Sequence, residues 1–439
     1  MSTVTTATDP KTQAWWNVAV GFATWTLIVV MPASLMPTLY GPIMDDMGWG
    51  RGQVTLFSTF KFGAGALIAF FLGHIVDRFG LNRVMLTSMT VTGLAIASLF
   101  FVDSLWAYCA AASVLGAAIL GCITCTKVLI SRWFSARLGF AIGLALTGAG
   151  IAGLIVPISA TLLAASIGWR ATAAIMSASI FVILIPLYLL KARETPVTFG
   201  TTAEELDPPT TVPVAALKQD VSQQAEFRDL LRMRTFWIVV VAQVLIGAVD
   251  HAMTDHLPLF LARDANLGAE IAALGFSMMI VAGALGKLGF GWLFDRYSVK
   301  AVALCSVSMA VGILLAFPLT GPFAGVIAFS VFTLMRGASH GGVMVDIPIF
   351  SKHVFGVRTL AKTVGIFSAA NSAGAAIAIG AIGYAHDALG SYTISFIVLI
   401  VLAIVAAALV WRVEPKYWAR SIQRQQTKPL AVPVPASER

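Results

Sequence analysis

Apolar runs of roughly 20 residues, each long enough to cross the hydrocarbon core of a bilayer, alternate with short polar breaks along most of the chain. The alternation predicts twelve helices, over residues 17–39, 53–75, 83–102, 105–133, 139–164, 170–190, 236–262, 271–294, 299–318, 322–350, 360–385 and 391–412. In lipid such segments must be helical, because no water is present to satisfy their backbone groups. The longest polar break, residues 191–235, separates the sixth run from the seventh. It divides the chain into an N-terminal six-helix half (1–190), a cytoplasmic linker (191–235), a C-terminal six-helix half (236–412) and a cytoplasmic tail (413–439). The fold class expected is an all-α membrane protein.

The halves also repeat a polar signature. Gly73-His-Ile-Val-Asp77-Arg78-Phe-Gly80-Leu-Asn82-Arg83 returns 218 residues later as Gly291-Trp-Leu-Phe-Asp295-Arg296-Tyr-Ser298-Val-Lys300, each copy between two apolar runs. Duplicated halves are how many secondary transporters build a site that opens to either side.

Composition removes the soluble alternatives. With 58% hydrophobic and 11% charged residues and a mean hydropathy of +0.86, a chain of 439 residues has more apolar surface than a water-soluble fold can hide. The loops holding Arg78, Arg83, Arg132, Arg137, Arg296, Lys300, Lys352, Arg358 and Lys362 share one side, against Arg51, Arg170 and Arg263 on the other, so both termini are expected in the cytoplasm and the protein in the inner (plasma) membrane. The formal charge of +8 is mostly this bias plus a basic tail (Lys416, Arg420, Arg424, Lys428, Arg439), and with no continuous basic stripe among exposed aromatics it implies no nucleic-acid partner. The linker, with Pro196, Pro208, Pro209 and Pro213, suits a flexible connection. Its end, Glu226 to Arg234, fits either a short amphipathic helix on the inner surface or a simple extension of the seventh helix. Residues 429–439 read as disordered, and no cleavable signal peptide is expected at the start.

Little enzyme chemistry is written in the chain. Gly283-Ala-Leu-Gly286-Lys287-Leu lacks the hydroxyl of a phosphate-binding loop, and the six histidines lack ligand spacing. Cys122-Ile-Thr-Cys125 has redox spacing but lies with Cys109 and Cys305 inside predicted spans, where small packing residues are the simpler reading. No cofactor or metal is expected.

What remains is the set of ionisable residues within the spans. A charge at the centre of a membrane helix costs about 2.5–3.5 kcal/mol on insertion scales, so such a residue faces a cavity or a partner. Arg336 lies near the middle of the tenth run, with His340 on the same face one turn on. Two roles suit it: bidentate capture of a substrate carboxylate, or a buried ion pair, for example with Asp250. Lys61 suits a helix contact beside Gly63 and Gly65, a reach to the headgroups, or a ligand contact. Lys127 and Lys287, near inner helix ends, suit snorkelling. On the seventh run Asp250 lies near mid-depth, and His251 and Asp255, one turn apart, are spaced for a hydrogen-bonded pair. Burial disfavours an ionised carboxylate and histidine titrates near neutrality, so these three are candidates for proton coupling. Pro258 removes a backbone bond and could open this helix, and Asp346 is placed at an inner gate.

The first signature, through Gly73, Asp77, Arg78, Gly80 and Arg83, carries most of the pattern G-x-x-x-D-R-x-G-x-[RK]-[RK] and resembles the loop between helices 2 and 3 of the major facilitator superfamily; Gly291, Asp295 and Arg296 form its second copy. The run Lys127 to Arg137, then Gly143 to Gly148 and Pro157, resembles the helix 4 to 5 passage of monocarboxylate and oxalate/formate-type carriers. Asp45-Asp-Met-Gly-Trp49-Gly-Arg51, His256-Leu-Pro258 and Gly383-Tyr-Ala-His-Asp387-Ala-Leu-Gly390-Ser-Tyr392 are similar to the same subgroup. The resemblance implies two six-helix halves rocking about a cavity lined by helices 1, 4, 7 and 10, with Asp250 and Arg336 in it and Lys61 on a flanking gating helix. Departures from the subgroup are plain. Helix 8 lacks its Asp-x-x-x-Arg pair, helix 11 offers Asn371 and no mid-depth cation, and Asn82 and Ser298 replace motif residues. The function expected is proton-coupled transport of a small organic anion by a monomer, with Arg336, His340, Lys61 and Asn371 at the substrate. A multidrug or metabolite exporter and a non-transporting receptor on the same scaffold are the alternatives.

Overall fold

The structure is a computed structural model that describes residues 9–69, 71–134, 137–199, 201, 227–320, 325–356 and 359–415. It is almost wholly helical. In chain order the long helices are α1 (Pro10–Met47), α2 (Arg51–Ile68, followed by Leu72–Phe79), α3 (Leu81–Phe101) and α4 (Leu105–Ser131). Next come α5 and α6, the two arms of Phe140–Lys191, which fold apart at Gly168. The second half holds α7 (Arg234–Asp264), α8 (Gly268–Tyr297), α9 (Val299–Thr320), α10 (Val326–Phe355), α11 (Leu360–Leu389) and α12 (Thr393–Trp411).

Nine stretches among the described residues are long and apolar enough to cross a membrane, the joined arms α5 and α6 counting as one. The two long helices outside that set are informative. α2 carries Thr55, Ser58 and Lys61, and α10 carries Arg336, His340 and Asp346, so polar content is what sets them apart. Gly168 makes the α5–α6 corner with φ 80° and ψ 162°, an extended left-sided conformation that a side chain resists.

Several helices overrun the expected spans. α1 begins at Pro10 and ends at Met47, passing through a wide π turn at Trp25–Val30 and over Pro37 and Pro42. Such adjustments re-satisfy backbone groups that proline frees, which is why no break occurs. Pro258 likewise lies inside continuous helix, with a π turn only after it, at Phe260–Asp264, so the opening expected there is not seen. Of the segment Glu226 to Arg234, which fitted either an amphipathic helix or an extension of α7, the described residues form a single helical turn at Phe227–Leu230; a turn follows before α7, fixed by Trp237 Nε1 donating to the Leu231 carbonyl at 2.9 Å. Most of the linker and the tail from 416 lie outside the described residues.

Among the described residues each half has one large hydrophobic core, and a smaller cluster around Trp133 and Ala141 sits beside that of the first half. The first, around Tyr40, Phe57, Tyr108 and Ile180, draws only Leu259 from the second half. The second, around Phe236, Phe276, Phe332 and Phe367, receives only Phe62 from the first. Large side chains such as Leu67, Phe71, Trp106, Val182 and Ile327 stay outside, forming the apolar belt a bilayer would cover. Cys109, Cys122, Cys125 and Cys305 are buried free thiols.

The halves meet along two seams. α2 packs on α11, with Gly52 against Tyr384 and Gly383 against Thr55; α5 packs on α8, with Gly153 against Ile280 and Ser277 Oγ donating to the Leu154 carbonyl at 3.1 Å. Separate cores joined by narrow seams are what lets two rigid bodies tilt against one another.

Candidate functional site

One side of α7 carries a run of buried and half-buried polar groups. Gln243, Asp250, His251, Thr254 and Asp255 recur at helical spacing, and each meets a partner from a different helix.

At the middle is an ion cluster. Arg336 on α10 and Asp250 on α7 are both fully buried. Arg336 Nη2 donates to Asp250 Oδ1 at 2.7 Å, to the Asp250 carbonyl at 2.6 Å and to Thr254 Oγ1 at 3.0 Å, while Nη1 reaches Ser339 Oγ at 3.3 Å. His340, a turn after Arg336, sets Nδ1 at 2.8 Å from Asp250 Oδ2. One carboxylate is thus held between a guanidinium and an imidazole. Of the two roles open to Arg336 from sequence, the ion pair with Asp250 is the one this state displays. Arg336 Nε is buried without a hydrogen-bond partner.

Above it lies a second carboxylate. Asp255 Oδ1 accepts from Ser58 Oγ at 2.5 Å and from Tyr40 Oη at 3.1 Å, both from the first half. Lys61 Nζ stands 3.3 Å from Ser58 Oγ and 4.6 Å from the centre of the Phe62 ring, so it is buried rather than at the headgroups. The close packing beside Lys61 is made by Gly116 of α4, not by Gly63. The expected His251–Asp255 pair does not form, because the two residues turn to different helices: His251 Nε2 faces Asn371 Oδ1 at 3.2 Å. Asp346 is fully buried and accepts from Gln243 Nε2 at 2.9 Å, which places it inside α10's packing rather than at a gate. The structure thus gathers Asp250, Arg336 and His340 in one cluster, Asp255 and Lys61 in another, and His251 with Asn371 in a third.

Toward the Arg51 end the halves are latched. Asp387 on α11 accepts from the Arg51 and Gly52 N–H groups at 2.8 and 2.7 Å, capping the start of α2 from the opposite half. Arg51 Nη1 donates to Asp264 Oδ2 at 2.6 Å, its guanidinium lies 5.1 Å over the Tyr392 ring, and His386 Nε2 meets Asp264 Oδ1 at 3.0 Å. Arg263 pairs with Asp45 at 2.7 Å beside a cleft of about 330 Å³ between α1, α5, α7 and α8. These latch residues were missed as functional from sequence. For Asp45, Arg51, His386, Asp387 and Tyr392 a signal was present, since they lie in the strings Asp45 to Arg51 and Gly383 to Tyr392 noted for resemblance alone; Asp264 gave none. Gln243, Tyr40 and Ser58 gave no signal, being ordinary polar residues until a partner helix is placed beside them.

At the other end, Asp77, Arg78, Arg83 and Arg296 are exposed. Their described contacts are local, with Arg78 over Phe79 and Arg296 over Trp292 and Tyr297. A Cβ at Gly80 or Gly291 would meet open space. The side-chain surroundings of Gly73 and Asp295 lie outside the described residues.

This chain is similar to known proteins both in sequence and in fold. The nitrite extrusion protein of Bacillus subtilis (strain 168) is 23% identical over 409 residues, covering 92% of each chain. Monocarboxylate transporter 12-B of Danio rerio is 25% identical over 293 residues, 63% of this chain and 60% of that one. Among solved structures, a bacterial homologue of the human lysosomal transporter Spinster, in an inward-facing and unoccupied conformation, superposes with a TM-score of 0.68 at 13% identity, covering 94% of this chain and 98% of its own. The nucleoside transporter NupG gives 0.67 at 14% identity, covering 92% and 99%. The profile of the Major Facilitator Superfamily matches residues 17–351 and 257–435. With a family profile covering most of the chain, relatives that are transporters and a matching helical architecture, this chain is a multi-pass membrane transporter of the Major Facilitator Superfamily.

Proposed function

We propose that the protein carries a small monovalent anion, a monocarboxylate above all, together with a proton, by alternating access. The Arg51 end faces outward and the Asp77 end and both termini face the cytoplasm, in keeping with the nine-to-three bias of loop cations. The observation that carries the reading is Asp250 held between Arg336 and His340 in a fully buried pair.

A buried guanidinium needs a counter-charge, and among the described residues Asp250 is the one that supplies it within bonding distance. Protonation of Asp250 removes that charge, leaving Arg336 free to take the carboxylate of a substrate in its place, with Nε as a further donor. Anion and proton then cross together with no net charge. Departure of the anion returns Arg336 to Asp250 and releases the proton. Asp255, with Lys61, Ser58 and Tyr40, ties this exchange to the seam between the halves. An inorganic monoanion is the second reading, favoured by the coverage of the nitrite extrusion protein.

The test is uptake by purified protein in liposomes of labelled lactate, pyruvate, formate, oxalate and nitrite under an imposed pH gradient. We expect one monoanion to accumulate, Asp250→Asn to retain exchange while losing gradient-driven accumulation, and Arg336→Ala to lose about tenfold to a hundredfold in affinity, since each hydrogen bond to a charged group is worth about 1.5–3 kcal/mol. Wild-type uptake indifferent to the pH gradient would overturn the coupling, and full affinity in folded Arg336→Ala would overturn the site.

A further inference from the structure

Asp346 has no part in that scheme, yet it is the centre of a hydrogen-bonded file. Its Oδ2 accepts from Gln243 Nε2 at 2.9 Å, while Oδ1 is buried without a hydrogen-bond partner. Asn371 Nδ2 donates to Gln243 Oε1 at 3.3 Å, and Asn371 Oδ1 lies 3.2 Å from His251 Nε2. The file runs from α10 through α7 and α11 to the imidazole next in sequence to Asp250. Two glycines allow it. A Cβ at Gly247 would stand 2.1 Å from the Asn371 carbonyl oxygen, and one at Gly374 1.9 Å from that of Val244, so only glycine lets α7 and α11 approach closely enough for the carboxamides to meet.

A carboxamide has a donor end and an acceptor end, so the file has two self-consistent arrangements. With Asp346 Oδ2 accepting, Gln243 donates to it, the Gln243 oxygen accepts from Asn371, and the Asn371 oxygen accepts an N–H from His251 Nε2. With a proton on Asp346 Oδ2, that O–H donates to the Gln243 oxygen, and both carboxamides turn over. Asn371 then donates to His251 Nε2, whose proton must sit on Nδ1. Any mixture sets two donors or two acceptors face to face in a buried place.

We propose that Asp346 is a proton-binding site of this transporter, and that Gln243 and Asn371 convert its protonation into the tautomer of His251. The proposal rests on the proton-coupled reading and adds to it a second site, which reports to the ion cluster through His251. The ionisable groups on the helices packed around it include Asp250 and His251 on α7, Lys287 on α8, Cys305 on α9 and Lys362 on α11, with Arg336, His340, Lys352 and His353 on its own helix. Arg336 and His340 are engaged with Asp250, and Cys305 Sγ points to the Ser339 carbonyl at 3.4 Å.

The experiment uses the full-length protein in lipid vesicles without substrate, with nitrogen-15 in its histidines. Infrared difference spectra between alkaline and acid buffer should show a protonated-carboxyl band that is lost in Asp346→Asn. Over the same pH range the nitrogen-15 signal of His251, assigned by its loss in His251→Gln, should shift from the Nε2–H to the Nδ1–H form. That shift should be lost in Asp346→Asn and in Gln243→Leu, the latter keeping the carboxyl band. Asn371→Leu cuts the file at another joint if Gln243→Leu fails to fold. A band set unchanged by Asp346→Asn overturns the proton site, and a His251 shift that persists in Gln243→Leu and Asn371→Leu overturns the link. These signals intact in a protein whose anion uptake ignores a pH gradient would overturn the coupling reading instead.

Discussion

The Arg51 end and the Asp77 end of this molecule are both rich in charge, but they use it differently. At the Arg51 end the charges of one half are satisfied by the other: Asp387 caps α2, Arg51 meets Asp264, and Arg263 meets Asp45. At the Asp77 end Asp77, Arg78, Arg83 and Arg296 of the duplicated signature stand exposed, and the contacts described for the signature stay within its own half, with Tyr188 donating to Asn82, Ser298 meeting His353 and Lys300 lying over the Trp411 ring. Bonds that cross between two bodies are specific to the state in which those bodies touch. The bonded end therefore defines the present state, and the exposed signature belongs to the opposite one.

The largest expected effect comes from cutting the best-buried bond of the latch. Arg51→Ala removes the Asp264 pair and the stacking on Tyr392, and leaves Asp264 to His386. Removing one partner of a fully buried pair costs about 3–5 kcal/mol; Arg51 and Asp264 keep some exposure, so about 2–3 kcal/mol is expected here. By population arithmetic that raises the fraction open at this end roughly thirtyfold to a hundredfold. The reporter is Thr55→Cys, at a fully buried position on the α2–α11 seam, labelled from the Arg51 side with the four native thiols buried. A labelling rate equal to that of the reporter alone would break the comparison.

Asp387→Ala should do the same more weakly. Its carboxylate satisfies two N–H groups at the start of α2, but it is exposed, so the loss is that of an N-cap, about 1–2 kcal/mol, or roughly tenfold in labelling. Asp387→Asn keeps an acceptor oxygen and should fall between Asp387→Ala and wild type. If the two variants behave alike, the charge and not the hydrogen bond is what holds the end shut.

How much of this was written in the chain follows from what each signal depends on. The twelve runs and the two halves follow from hydropathy, a property of single segments, so the fold was legible. The mid-membrane residues Asp250 and Arg336 were legible too, since an ion in lipid stands out by its cost. Their partners were not. Whether Arg336 faces a ligand or Asp250, and whether His251 turns to Asp255 or Asn371, depends on the rotation of one helix against another, and residues such as Gln243 and Tyr40 cost too little in isolation to be noticed. Gly247 and Gly374 carried that information in part, but two glycines among 38 do not name their partners.

The smallest effect on the present state, and the one that sharpens the comparison most, is expected from Asp77→Asn. Asp77 is exposed and makes no described bond to the other half, so the change should leave stability within about 0.5 kcal/mol, as for most surface positions. Its effect should fall on the opposite state. When the Asp77 end shuts, this carboxylate comes within reach of helix ends and cations of the second half, and a neutral amide there holds less well. Loss of that state leaves the Arg51 end shut for longer, so labelling at Thr55→Cys should slow and substrate exchange should slow with it. Arg51→Ala and Asp77→Asn thus move one probe in opposite directions, although one cuts visible bonds and the other cuts none. Labelling and exchange both unchanged in Asp77→Asn would show that the signature plays no part in closing its end, and the two ends would then differ in packing alone.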